Sequence, residues 1–298
     1  MSNQKEVKEP VRIAIFPIFN FELSKPFESG FLFSNKVLMR QITKEEISLF
    51  QSEHPTMWSD GAQLVYFIND RTMVYEVKDT VNRSNQNAID QSNGFYLEAS
   101  RLIYKTQLAM WLQENDSGFC KIFVFLADSK ISRLGVINPP FPYKPSKFVL
   151  NVDEIPEIDS LVSRISKLDF DKNSPFRVAC ERFSRSHEER RLDDVIIDLT
   201  IGFEALFTDY KIPKLEYMGK FVGLGCSMLL GRDNEERQFI ASFIDKAFDI
   251  RNKIVHGSFI PTPIEVKPEN ASKGVKYNLE DFSHNFQKYL GDSLKELI

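Results

Sequence analysis

Residues 239–257, FIASFIDKAFDIRNKIVHG, have the period of a helix. At about 100° per residue, Ile240, Phe243, Ile244, Ala247, Phe248, Ile254 and Val255 fall within one arc. That arc is the buried stripe of an amphipathic helix, and Gly257 marks its stop. Arg251 falls near the centre of the same arc. A guanidinium cannot shed its charge by losing a proton, so on a buried face it needs a carboxylate or a polar cleft to offset desolvation.

Outward from this helix the period stays helical. Segments at about Pro175–Glu189, Arg191–Asp209, Pro213–Leu230, Glu235–His256 and Leu279–Ile298 make the second half all-α. Gly231 and Gly257 stand where helices should stop, and Asp233 and Asn278 where the next should start. Ser258–Tyr277 contains Pro261, Pro263 and Pro268 among many polar residues, which predicts an exposed loop.

From Val11 to about Leu150 the pattern differs. Short apolar runs (VRIAIFPIF, GFLF, QLVYFI, TMVYEV, FCKIFVFLA) broken by polar turns predict strands. Asn69-Asp70-Arg71 predicts a hairpin turn between two of them. Thr43 and Glu46 have capping-box spacing, a longer helix is predicted over Gly94–Leu112, and another runs from near Ile155 to Leu168. Asn138–Pro145 holds too many prolines for a regular element. The fold class is therefore α+β. A mixed, β-rich unit over residues 1–170 precedes an all-α bundle over residues 171–298, with the boundary near Asp169–Pro175.

Composition narrows the function. The chain has 298 residues and a formal charge of −4, which argues against broad electrostatic capture of nucleic acid, so any such contact must be local. Cys120, Cys180 and Cys226 never form a CxxC pair and read as buried free thiols. His54, His187, His256 and His284 show no metal-binding spacing, so no metal or other cofactor is expected. The phenylalanines read as core rather than as a base-stacking surface. No apolar run approaches the roughly 18 residues of a membrane span, and the polar start is not a signal peptide, so the expectation is a cytoplasmic protein with no membrane partner.

The partner of Arg251 is sought on the helix whose Leu192, Val195, Ile196, Leu199, Phe203, Leu206 and Phe207 form one stripe, with Ile197, Ile201 and Ala205 opposite. Glu204 lies at the margin between these surfaces. A Glu204–Arg251 pair is expected, with Asp198 as the alternative. Asn252 and His256, four residues apart, share a helix face, and Arg251 and His256 sit about 140° apart around the axis. An imidazole there suits proton transfer. Arg and His also favour helix C-termini simply as caps.

Arg251-Asn252-Lys253-Ile254-Val255-His256 matches the R-N-x3-H motif of the HEPN superfamily, and RNKIVHG resembles its Apea-like branch. DLTIGFEALF (Asp198–Phe207) is similar to that branch's Glu-bearing helix, and the segment through Met218, Leu224 and Leu229 to DNEER also fits, so the resemblance covers roughly Arg190–Gly257. It implies an all-α HEPN domain that pairs two motifs across a homodimer and cleaves RNA without a metal. In that implied mechanism, 2′-hydroxyl attack leaves a 2′,3′-cyclic phosphate. Arg251 would hold the phosphate, His256 would move the proton, Asn252 would orient either, and Glu204 would support Arg251. Lys253 and Lys246, with Lys214, Lys220 and Arg232 around them, are candidate RNA contacts, though each also reads as a solvated charge. The resemblance further suggests a role in phage defence or as a toxin, with the N-terminal unit receiving an activating ligand or protein. A non-catalytic helical module that binds RNA or a protein is the alternative.

Overall fold

A computed structural model describes residues 11–18, 21–25, 30–52, 72–80, 88–113, 122–127, 130–136, 148–170, 172, 174–188, 191–208, 217–269 and 271–298. The chain divides into two compact units: residues 1–110 with 116–166, and residues 111–115 with 167–298. The hairpin turn expected at Asn69–Arg71, the QLVYFI run, the proline-rich stretch at 138–145, Cys120 and His54 lie outside the described residues.

In the first unit, six strands pair in the order β3-β4-β5-β1-β6-β7: β1 (Val11–Ile18), β3 (Phe31–Leu32), β4 (Leu38–Gln41), β5 (Met73–Thr80), β6 (Ile122–Ala127) and β7 (Lys130–Val136). Every pairing in this sheet is antiparallel, with β1 central and Ala14 opposite both Val77 and Phe125. Separately, β2 (Phe21–Leu23) runs parallel to β8 (Phe148–Leu150). Ala14, Ile15 and Phe16 on β1, and Val74, Tyr75, Glu76 and Val77 on β5, are buried whichever way their side chains alternate. Both faces of these strands are thus covered over these residues, which is why Ile13–Phe16 of β1 reads as a continuous apolar run, while β5 buries Glu76 among its apolar residues.

The capping box forms as its spacing predicts. The Thr43 hydroxyl accepts from the Glu46 amide at 3.2 Å, and the Glu46 carboxylate accepts from the Thr43 amide at 2.9 Å, starting α1 (Lys44–Ser52). Helix α2 runs Ala88–Gln113, longer than its apolar pattern indicated, because its first turns carry mostly polar residues. Its Thr106 accepts from Asn35 Nδ2 at 2.9 Å, and its Met110 meets the Tyr75 hydroxyl, fixing it to the strands. A turn of 3-10 helix then leads into α3 (Ile155–Lys167). Within this unit Arg40 is held by Glu46 Oε1 at 2.5 Å and, closer still, by Glu76, whose side chain is 3% exposed.

The second unit contains α4 (Ser174–Glu188), α5 (Leu192–Phe207), α6 (Met218–Leu230), α7 (Asn234–Val255) and α8 (Leu279–Leu297). Its core is aromatic. Phe243 stacks on Phe282 at 4.5 Å between ring centroids, and Phe203 stacks on Phe286 at 4.9 Å, joining α5, α7 and α8. Helices α6 and α7 approach closely because Gly223 has no side chain: a Cβ there would lie 2.8 Å from the Ala241 carbonyl oxygen. Asp233 and Asn278 cap α7 and α8, accepting from the amides of Glu236 and Asp281. Cys180 and Cys226 are buried free thiols, and burial pushes the Cys226 thiol up to about 12.

Two expectations need correction. This unit is not all-α, because the segment expected as an exposed loop contains β9 (Ile264–Val266) paired antiparallel with β10 (Val275–Tyr277). Ile264 and Val266 are each 1% exposed, and burying these two alternating side chains pins the hairpin despite its flanking prolines. The last turn of α2 also belongs here rather than with the first unit: Trp111 stacks on His187 at 5.0 Å, and Gln113 accepts from Lys295 at 2.8 Å.

Candidate functional site

The site is built on the last turn of α7. Ile240, Phe243, Ile244, Ala247 and Phe248 are buried as the arc predicts, and Ile250 is the last fully buried residue. Beyond it the helix leaves the core. Arg251, Lys253 and Ile254 are half-buried, whereas Asn252, Val255, His256 and Gly257 are exposed, so Val255 does not join the buried stripe.

The helix end is closed by a Schellman turn. The amides of Gly257 and Ser258 donate to the Ile254 and Lys253 carbonyls at 3.0 and 2.8 Å, with Gly257 at φ +63°. The positive φ is why glycine stands here, since a side chain would be strained in that conformation. These bonds occupy the Lys253 and Ile254 carbonyls at the helix end. The imidazole is presented to solvent on a backbone that the turn holds in place.

Arg251 is where the structure departs furthest from expectation. Its Nη1 donates to Asn252 Oδ1 at 3.1 Å, while its buried Nε has no hydrogen-bond partner. Glu204 is near enough for its charge to be felt but forms no ion pair with Arg251. Burial dominates at that carboxyl and pushes it above the ordinary carboxylate range, with the Arg251 charge only partly opposing the rise. The expected Glu204–Arg251 ion pair is therefore absent. The alternative fails for a different reason: Asp198, 7% exposed, is engaged by Arg182 Nη1 at 2.5 Å and Arg185 Nε at 3.6 Å from α4. Asp198 and Glu204 are six residues apart on α5 and so face different directions.

Of the lysines, Lys253 sits half-buried in the motif turn, and Lys246 lies 3.6 Å from Asp249. Lys220 helps line a polar cleft of about 270 Å³ with Gln238, Ala241, Ser242, Asp245 and Glu269; Arg251, Asn252 and His256 are not part of it. Two features escaped sequence reasoning. Phe259, three residues beyond His256, is 84% exposed, although its apolar type alone would assign it to the core. Tyr217, at the N-cap of α6, and Phe221, Leu224 and Met228 along one face of that helix also stay exposed, at a 4-3-4 spacing that could have been read from the sequence.

Among the described residues there is no cluster of three or more His, Cys, Asp or Glu placed to hold a metal ion, and no helix long and apolar enough to cross a membrane. No protein-family model, curated protein or solved structure matches the chain.

Proposed function

We propose that this protein is a metal-independent endoribonuclease of the HEPN type, acting as a homodimer. The observation that carries the reading is the state of Arg251. A half-buried guanidinium that no carboxylate within ion-pair distance neutralises, bonded only to the neutral Asn252, keeps its charge available to an incoming anion, although its Nε is itself buried. A phosphodiester supplies the oxygen acceptors that this cation lacks. Asn252, bonded to Arg251, and His256, the C-cap residue of the same helix, provide a polar group and a proton carrier at this helix end.

In the reaction, the RNA 2′-oxygen attacks phosphorus as His256 takes its proton, and Arg251 offsets the charge gathering on the phosphoryl oxygens. The P–O5′ bond then breaks. The leaving 5′-oxygen takes a proton, and the products are a 2′,3′-cyclic phosphate and a 5′-hydroxyl. One imidazole cannot be base and acid on opposite sides of phosphorus at once, so His256 of the partner subunit supplies the second proton. The exposed 4-3-4 stripe on α6 supports a second copy, because that spacing is the seam of paired helices.

The test incubates purified protein with mixed RNAs in EDTA and identifies the new ends. Cyclic-phosphate ends that vanish in both Arg251→Ala and His256→Ala are expected. Cleavage that survives both substitutions, or that requires a metal, removes the reading. RNA binding without cleavage in the parent would point instead to a non-catalytic module. The α+β first unit is assigned here to receiving the activating ligand or protein.

A further inference from the structure

We propose that Phe259 is the stacking platform for a nucleobase of single-stranded RNA within about three nucleotides of the phosphate at the Arg251–His256 helix end, an inference that rests on the ribonuclease reading above. Phe183, Phe203, Phe243, Phe282 and Phe286 of the second unit are fully buried, and Phe221 on α6 is about half exposed. Phe259 is 84% exposed. Its exposure is not that of a frayed end. The Schellman turn fixes the chain at Gly257 and Ser258, and β9 recaptures it at Ile264, which is 1% exposed. A large apolar ring is thus held in water on a short segment anchored at both ends.

Position gives the ring its role. Three residues separate Phe259 from His256, so their Cα atoms lie at most about 11 Å apart. Stacked bases are spaced about 3.4 Å along a strand, so about three nucleotides cover that distance. Charge supports the same occupant. With a formal charge of −4 and Lys246 already near Asp249, this protein lacks the excess of cations that holds RNA by its backbone alone. Stacking on an aromatic face supplies affinity without added charge, and it accepts any base because every base has a π face. It also restricts the substrate: bases inside a duplex are already stacked, so the ring takes unpaired RNA.

The experiment uses the full chain in two backgrounds. In His256→Ala protein, which leaves RNA uncut, Phe259→Trp emission is titrated with a short mixed-sequence oligoribonucleotide, after subtracting the background of Trp58 and Trp111. Saturable quenching by the single strand, and none by the same sequence in a duplex, is expected. In otherwise active protein, Phe259→Ala should raise KM about tenfold, with Phe259→Tyr and Phe259→Trp restoring it. Turnover should stay within about twofold and the oligomeric mass should not change. Unchanged KM and emission beside a parent that cleaves RNA would overturn this proposal and leave the ribonuclease reading intact. Conversion of Phe259→Ala protein to monomers would also overturn it, assigning the ring to a subunit contact. A parent that neither binds nor cleaves RNA would remove both.

Discussion

Arg40 in the first unit and Arg251 in the second are both partly buried cations, and their surroundings treat them in opposite ways. Arg40 is enclosed by Glu46 and Glu76, and its Nε donates to Glu76 at 2.8 Å while its Nη1 donates to Glu46 at 2.9 Å. The guanidinium is neutralised and satisfied, so it ties α1 to the sheet. Arg251 has one neutral partner, Asn252, and a nearby carboxyl that does not reach it. The contrast separates an arginine used as a structural tie from one that no carboxylate neutralises by contact. Arg182 falls with Arg40, since Asp198 engages it directly.

The largest test of this contrast is to open the Arg40 cage. Glu76→Ala leaves a buried cation with one carboxylate fewer and should cost about 3 kcal/mol, measured by chemical denaturation. Arg251→Ala should cost less than about 1 kcal/mol, because no pair is broken. The converse change is to cage Arg251. Asn252→Asp places a carboxylate where Asn252 Oδ1 now accepts from Arg251, 3.1 Å away. Stability should move by no more than about 1 kcal/mol, whereas RNA cleavage should fall about tenfold or more as the cation is neutralised.

The smallest effect concerns the two carboxyls. Burial acts to raise Glu46, but the hydrogen bonds and charge of Arg40, with the Thr43 amide, hold it below the ordinary range of 4.5. Its contribution is present above that value and is lost as pH falls through the lower, folded one. Glu204 has the opposite sign. Its carboxyl is raised above 4.5 by burial, so its contribution is present below 4.5 and is lost as pH rises through the folded value. Glu204→Gln should therefore stabilise the protein at about pH 7, with the gain shrinking toward about pH 4 in paired denaturation curves. A Glu204→Gln variant less stable at neutral pH would mean that Glu204 supports Arg251 after all.

What the sequence made legible follows one physical division. Local interactions could be read directly: the Thr43–Glu46 capping box, the caps at Asp233 and Asn278, the stop at Gly257 and the stripe from Ile240 to Phe248 each depend on residues a few positions apart. Features that depend on packing could not. The 258–277 segment looked like loop because its prolines and polar residues dominate, yet two buried side chains, Ile264 and Val266, are enough to pin a short hairpin. The added first turns of α2 are mostly polar and therefore lack an apolar stripe. At the candidate site, Arg251, Asn252 and His256 were legible as residues of one helix end. The missing ion pair was not, because helical period places Glu204 on a margin without fixing how far its carboxyl reaches. Phe259 was missed for the related reason that residue type gives no exposure.

The most direct measurement pairs RNA cleavage in EDTA with denaturant unfolding for the parent, Arg251→Ala and Arg40→Ala. Arg251→Ala should lose about a thousandfold in cleavage while keeping the parent's stability, and Arg40→Ala should lose stability by about 3 kcal/mol. Undiminished cleavage by Arg251→Ala, or unfolding as costly as that of Arg40→Ala, would contradict the assignment of Arg251 as the phosphate-holding cation.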